Sequence, residues 1–309
     1  MYNRLFAKSG LSLERLRTFC EVADAGSMAK AANGDVIRQS QFSRQIKELE
    51  EHFGLKLTER SGRNVVLTKE GWELAALARQ ILAGLEGFHG KTGEGVGDVV
   101  VLGAGESVLR GLVVARLEEI RARLPNVILE MRNLRGQETV DALEEGRIDL
   151  GVVDEGLSRA GMETMRLGRV TYRLVAWMGG AESREETLDW RHVMKRTFVV
   201  MGGGENWEGK ARELAGKAGA EASIAVRCAS WHGVGDAVRA VKGAGLLPSI
   251  VDVPAGCAVV DMPKLKLPER VLMLAWNARR GDLRTDSARW RRVLGEALRF
   301  GAAGEVRGK

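Results

Sequence analysis

The stretch Gln39-Ser-Gln-Phe-Ser-Arg-Gln-Ile-Lys-Glu-Leu-Glu-Glu-His-Phe-Gly54 decides what kind of fold opens this chain. Phe42, Ile46, Leu49 and Phe53 fall four, three and four residues apart, which puts them on one face of a helix over residues 39–53, with Gly54 as its stop. Ser40, Arg44 and Lys47 lie opposite, flanked by Gln39, Gln41 and Ser43. A helix that buries one face and offers Gln, Ser, Arg and Lys on the other has the chemistry of a major-groove reader. Gln can pair with adenine edges, Arg with guanine edges or phosphate, and Ser with a phosphate oxygen. For an isolated helix a solvated polar face is the simpler explanation, so the neighbouring segments decide.

Upstream, Leu13, Leu16, Phe19, Val22 and Ala23 recur at helical spacing behind Ser12, which is placed as an N-cap. Gly26 stops that helix, and Ser27 can cap a short second one over residues 28–32. Downstream, Leu55-Lys-Leu57, a turn at Arg60-Ser-Gly-Arg63 and Val65-Val-Leu67 read as a two-stranded wing. A capped short helix, a tight turn, a polar-faced helix and a basic wing tip together favour DNA binding. Net charge does not carry that conclusion: only +2 of the overall +6 falls in residues 1–90. Placement does, because residues 38–69, from Arg38 onward, hold seven basic side chains against four acidic ones.

Thr68 can cap a fourth helix over residues 69–88. Its Leu74, Ala78, Ile81, Leu85 and Phe88 keep alternating steps of four and three, a seam suited to a second helix, and Trp72 is placed to insert into the wing domain. The segment Gly90-Lys-Thr-Gly-Glu-Gly-Val-Gly97 is a linker. Beyond it, strands alternate with helices: Val99-Val-Val-Leu102, a helix over 108–124, Val127-Ile-Leu-Glu-Met131, a helix over 137–145, and Ile148-Asp-Leu-Gly-Val-Val153. That order predicts a parallel sheet covered by helices, and its resumption from Tyr172 to Ala275 predicts two α/β lobes.

Several segments now resemble a known family. Ser27-Met-Ala-Lys-Ala-Ala32, Ser43-Arg-Gln-Ile-Lys-Glu-Leu-Glu50, Phe53-Gly54, Leu57-Thr-Glu-Arg60 and Val66-Leu-Thr-Lys-Glu-Gly71 are similar to the winged helix-turn-helix of LysR-type transcriptional regulators. Gly97-Asp-Val-Val-Val-Leu-Gly103, Leu124-Pro-Asn-Val127 and Gly146-Arg-Ile-Asp-Leu-Gly151 resemble the opening of that family's effector domain. The resemblance implies an α/β architecture: a winged helix-turn-helix over 1–67, a linker or dimerisation helix over 68–90, and a two-lobed effector domain resembling periplasmic binding proteins over 97–309, its second lobe about 173–268. Two segments depart from the family. Asp35-Val-Ile-Arg-Gln-Ser40 stands where Leu-Asn-Leu-Ser-Gln-Pro is usual, so Asp35 replaces a packing apolar residue and Ser40 a proline. Gly243-Ala-Gly-Leu-Leu-Pro248 is shorter than the usual strand entry.

Carried over residue by residue, the resemblance puts Ser27, Arg38, Gln39, Ser40, Gln41, Ser43, Arg44, Lys47, Arg60 and Arg63 at double-stranded DNA, and Leu74, Ala78, Ile81, Leu85 and Phe88 at a dimer seam. It puts a small-molecule effector against Ser107, Arg135, Asn206, Ser230 and Trp231, at glycine-rich strand-to-helix turns where open α/β sheets hold ligands. An ordinary cap or surface role is the alternative for each. Arg135 suggests an anionic ligand, and Glu106 argues the other way. The implied partners are DNA, the effector and the protein itself as a homodimer or dimer of dimers, with RNA polymerase as a further partner.

Enzyme chemistry finds little support. Gly103-Ala-Gly-Glu-Ser-Val108 lacks the third glycine of a dinucleotide fingerprint. Gly204-Glu-Asn-Trp-Glu-Gly-Lys-Ala211 ends in Ala211, which has no hydroxyl for magnesium. His52, His89, His192 and His232 show no metal-ligand spacing, Cys228 reads as a core residue, and no cofactor or metal is expected. Three scattered cysteines give no disulfide framework, the first ten residues lack a secretion signal, and no apolar run is long enough for a membrane span, so the expected setting is cytoplasmic. With 45% hydrophobic and 28% charged residues, the composition excludes disordered and fibrous classes. The rival function is an α/β ligand- or nucleotide-binding protein whose N-terminal module serves only oligomerisation.

Overall fold

A computed structural model describes residues 3–61, 64–89, 98–179, 189–203, 206–262, 267–278 and 286–301. It opens with α1 (Asn3–Phe6), α2 (Leu13–Ala25), α3 (Met28–Ala31) and α4 (Val36–Phe53), then the hairpin β1 (Thr58–Ser61) and β2 (Asn64–Leu67). Ser12 caps α2 by accepting the Arg15 N–H at 3.2 Å, and Gly26 ends it at a positive φ of 71°. Leu16, Phe19, Phe42, Ile46, Leu49, Leu57 and Leu67 close one apolar core beneath these elements. Burying a side chain of that size stabilises by about 1.5–3 kcal/mol.

The reading helix differs from expectation at its start. α4 begins at Val36, three residues before residue 39, because Asp35 is an N-cap whose carboxylate accepts the Ile37 and Arg38 N–H groups at 2.8 and 3.1 Å. A carboxylate there satisfies orphan amides and meets the positive end of the helix dipole. Ser40 completes the change. A proline at that point would disfavour helical geometry at residue 39 and clash one turn back, whereas serine lets α4 run through. The wing also starts later than predicted. Glu50 of α4 accepts the Leu57 and Thr58 N–H groups at 2.9 and 3.1 Å, so Leu57 is pinned into the core and pairing begins at Thr58.

α5 (Lys69–His89) starts at Thr68, whose hydroxyl accepts the Gly71 N–H at 3.0 Å and donates to the Lys56 carbonyl at 2.8 Å. A Cβ at Gly71 would meet the Leu57 carbonyl oxygen at 2.2 Å, so glycine is what lets this helix start against the wing. Residues 90–97, the whole of the predicted linker, lie outside the described residues.

The first lobe comprises β3 (Asp98–Ala104), α6 (Glu106–Val108), α7 (Leu117–Arg123), β4 (Val127–Asn133), α8 (Gln137–Glu144), β5 (Leu150–Asp154) and β6 (Met162–Val170). A π turn and a 3-10 turn join α6 to α7, so the helix expected over 108–124 is helical throughout but irregular. The second lobe comprises β7 (Tyr172–Trp177), α9 (Trp190–Val193), β8 (Thr197–Met201), α10 (Trp207–Lys217), β9 (Ser223–Cys228), α11 (Trp231–Ala240), β10 (Ala244–Pro248) and β11 (Cys257–Val260). β12 (Arg270–Asn277) and α12 (Ser287–Ala297) return to the first lobe.

The sheets are ordered β4-β3-β5-β12-β6 and β11-β7-β10-β8-β9, and they are mixed rather than parallel. β3 runs parallel to β4 and β5, and β8 to β9 and β10. Antiparallel pairing appears where the chain passes between lobes: β12 with β5 and β6, and β7 with β10 and β11. Strands joined by a crossover helix must run parallel with a fixed hand; a strand returning from another lobe is free of that constraint.

Candidate functional site

The first candidate surface is the outer face of α4. Phe42, Ile46 and Leu49 point into the core at 6%, 2% and 0% exposure, while Gln39, Ser40, Gln41, Ser43, Arg44 and Lys47 are exposed. Arg44 leans on Glu48 at 3.1 Å and Lys47 on Glu51 at 3.8 Å, one turn toward the C-terminus. Glu48 also pairs with Arg15. The hydrogen bond from Arg44 is the largest cause holding the Glu48 carboxyl below its ordinary value; it runs through Arg44 Nε, and the Arg44 side chain stays largely exposed. Arg60 is exposed on β1.

Other predicted DNA contacts are placed differently. Arg38 turns along its own domain, pairing with Glu21 at 3.3 Å with its guanidinium 5.2 Å from the Phe42 ring centre. Ser27 is buried, its hydroxyl accepting the Lys30 N–H at 3.3 Å, so it acts as the cap of α3. Arg63 lies outside the described residues.

The second surface is α5. Ala78 is fully buried in the N-terminal core, and Leu74 is half-buried against it. Ile81 and Leu85 are exposed as expected, and Leu77 joins them, giving a stripe at four-residue steps. Spacing alone carries no phase: Ala75 and Ala78, small enough for close approach to α2, fix which side turns inward. Nothing is described of the Phe88 side chain.

The third is a cleft of about 420 Å³ between the lobes, within the range of small-molecule sites. Ser107, Arg135, Ser230 and Trp231 line it together, as expected. Asn206 does not: its Oδ1 accepts the Gly209 N–H at 2.8 Å as the cap of α10, and the next residue, Trp207, forms the wall instead. Tyr172, Trp207 and Trp231 form a cluster: Tyr172 lies tilted against Trp207 and Trp231 with ring centres 4.3 and 5.4 Å away, and the two tryptophans meet edge to face at 5.0 Å.

Two contacts cross the cleft. Arg135 Nη2 donates to the Ala229 carbonyl at 2.8 Å, and His232 Nδ1 lies 3.4 Å from Glu106 Oε1. Burial, followed by nearby Arg110, pushes the His232 imidazole below its ordinary pKa. Arg270 of β12 reaches the floor and donates to both carboxylate oxygens of Asp154, one at 2.9 Å. This pair and Trp207 escape sequence reasoning because they sit 116 residues apart, or inside a loop read for its glycines.

A larger groove of about 1310 Å³ runs over α7, β6 and α12 on the outside of the first lobe. Several of its charges are paired with residues outside it: Glu119 and Glu296 with Arg123, and Arg169 with Glu269. The phosphate-loop look-alike is dismantled, since Lys210 turns along its own helix to Glu213 at 2.8 Å. Gly103 serves packing, as a Cβ there would strike Ile148 at 2.6 Å. Cys228 packs against the core, as expected. Among the described residues no cluster of three or more His, Cys, Asp or Glu side chains is placed to hold a metal, and no helix is long and apolar enough to cross a membrane.

Both halves of the chain match known proteins. Residues 13–72 match the profile described as bacterial regulatory helix-turn-helix protein, lysR family, and residues 93–298 that of the LysR substrate binding domain. The chain is 25% identical over 304 residues to an uncharacterized HTH-type transcriptional regulator, YfeR of Shigella flexneri, covering 95% of this chain and 97% of that one. It is 32% identical over 164 residues to the HTH-type transcriptional regulator BenM of Acinetobacter baylyi, covering 51% of this chain and 54% of that one. Among solved structures it resembles a full-length OxyR variant from Pseudomonas aeruginosa, with a TM-score of 0.66 and 19% identity over 98% of this chain and all of that one. It also resembles full-length CbnR complexed with its target DNA, with a TM-score of 0.56 and 18% identity over 93% of this chain and all of that one.

Proposed function

The chain belongs to the LysR family of transcriptional regulators, with a DNA-binding helix-turn-helix and an effector-binding domain, and from that premise we propose how its own residues divide the work. Ser40, Ser43, Arg44 and Lys47, with Gln39 and Gln41 at the flanks, enter the major groove, and Arg60 on the wing meets the neighbouring backbone. Leu77, Ile81 and Leu85 face a second copy, so the dimer reads a near-palindromic site. The small effector lies in the interlobe cleft against Trp207 and Trp231, between Ser107 and Ser230, with Arg135 at its mouth. The functional units follow as residues 1–67, 68–90 and 97–309. The protein works in the cytoplasm and performs no catalysis.

The observation that carries this reading is α4: its apolar stripe is sealed while Ser40, Ser43, Arg44 and Lys47 stand exposed on the opposite side. Anisotropy titration of the full-length protein tests it, comparing duplex from upstream of its own gene with a shuffled duplex of equal length. The expected result is at least a thousandfold preference at moderate salt, the low end for specific binders. Equal affinity for both duplexes would contradict it and favour a purely oligomerising N-terminal module.

The effector assignment has its own readout. An effector stacked on Trp207 and Trp231 changes intrinsic tryptophan emission, and Trp231→Ala should weaken its binding tenfold or more. A screen hit that binds equally well to Trp231→Ala would place the effector elsewhere.

A further inference from the structure

The first turn of α4 presents something that neither helix formation nor core packing requires. Val36 and Ile37 are adjacent, and each is 73% exposed. Valine is a poor helix former, and neither residue belongs to the core beneath α4. Both lie on the reading side: Val36 precedes Ser40 by four residues and Ser43 by seven, and Ile37 precedes Arg44 by seven, spacings that share a helix face.

The cap sharpens the argument. A helix N-terminus is ordinarily a seat for phosphate, but here the Asp35 carboxylate occupies it by accepting the Ile37 and Arg38 N–H groups. A phosphate approaching that point meets a negative charge instead of free amides. What the first turn offers to a duplex is therefore an apolar pair, and the apolar group on the major-groove edge of the bases is the thymine C5 methyl.

We propose that Val36 and Ile37 read thymine methyl groups, setting a thymine preference at the base pairs beneath the first turn of α4. This rests on the assignment of α4 as the DNA-reading helix.

The test uses the full-length protein and the duplex it enriches from a random-sequence library. Single thymines are replaced by deoxyuridine, which keeps every pairing and groove hydrogen bond and removes only the methyl. Wild type should lose about fourfold in affinity at one or two positions in each half-site, the effect of one buried methyl. Val36→Ala or Ile37→Ala should bind thymine and uracil duplexes alike at those positions. Both side chains are exposed and alanine favours the helix, so these variants keep the fold.

Arg44→Ala separates the two levels of the argument. If it weakens binding while every uracil duplex binds as tightly as its thymine parent, α4 remains the reading helix and methyl reading is overturned. If Arg44→Ala binds as wild type does, the helix assignment falls and the proposal falls with it. Uracil-insensitive binding together with self-association lost in Val36→Ala would assign the pair to a second copy of the chain, which also overturns methyl reading.

Discussion

Glu50 shows how one side chain joins the reading helix to the wing. Its Oε1 accepts the Leu57 and Thr58 N–H groups and the Thr58 hydroxyl, and its Oε2 takes Lys56. Burial opposes the charge, but the amide donors and Lys56 outweigh it and hold the carboxyl below its ordinary pKa. A depressed carboxylate adds stability above its unfolded pKa and loses it as pH falls through the lower folded value. Glu50→Gln should therefore cost about 1–3 kcal/mol at neutral pH, and less in acid, by denaturant unfolding. An unchanged midpoint at pH 7 would show that the wing is held otherwise. Glu48 acts in the other direction, because its negative charge beside Arg44 opposes an incoming phosphate. Glu48→Gln should tighten DNA binding several-fold at low salt, and weaker binding would mean that the pair pre-organises Arg44 instead.

Among elements, α5 buries one face in its own domain and leaves the other exposed, the face proposed above to meet a second copy. Ala75 and Ala78 lie against α2, whereas Leu77, Ile81 and Leu85 stand exposed at 47%, 39% and 44%. Charge placed in that stripe should break the dimer, so Ile81→Glu is expected to shift the protein to monomer in sedimentation at micromolar concentration. A dimer of undiminished stability would move the interface elsewhere. The same helix marks what the sequence discloses and what it withholds. Regular spacing makes α2, α4 and α5 readable, since a buried stripe needs period 3.6 wherever it packs. The phase of α5 is hidden because alternating steps of four and three describe more than one face. Asp35 was open to misreading for a related reason: family likeness gives it a packing position, while its own chemistry makes it a cap. Asp35→Ala should cost about 0.5–2 kcal/mol and shorten α4. The cleft was half legible. Ser107, Ser230 and Trp231 begin helices and could be placed from turns, but the Arg270–Asp154 floor depends on a strand that returns from the other lobe.

Across the whole molecule, the DNA-reading module and the first lobe meet at Arg79. Its Nη2 donates to Asp24 Oδ1 on α2 at 2.7 Å, and its Nη1 to the Glu145 carbonyl beyond α8 at 2.6 Å. This guanidinium ties the two units together, and a ligand shifts their arrangement only if it binds one arrangement better than another. The overall charge of +6 says little about any of this; the side chains that matter are few and set on one face of one helix. Salt dependence weighs that face most directly. Each phosphate contact releases counterions, so the slope of log affinity against log salt counts the cations engaged. The full-length protein on its preferred duplex should show a steep slope, and Arg44→Ala or Lys47→Ala should each bind more weakly, with a slope shallower by about one. Slopes and affinities indistinguishable from wild type in both variants would contradict the assignment of α4 as the helix that reads DNA.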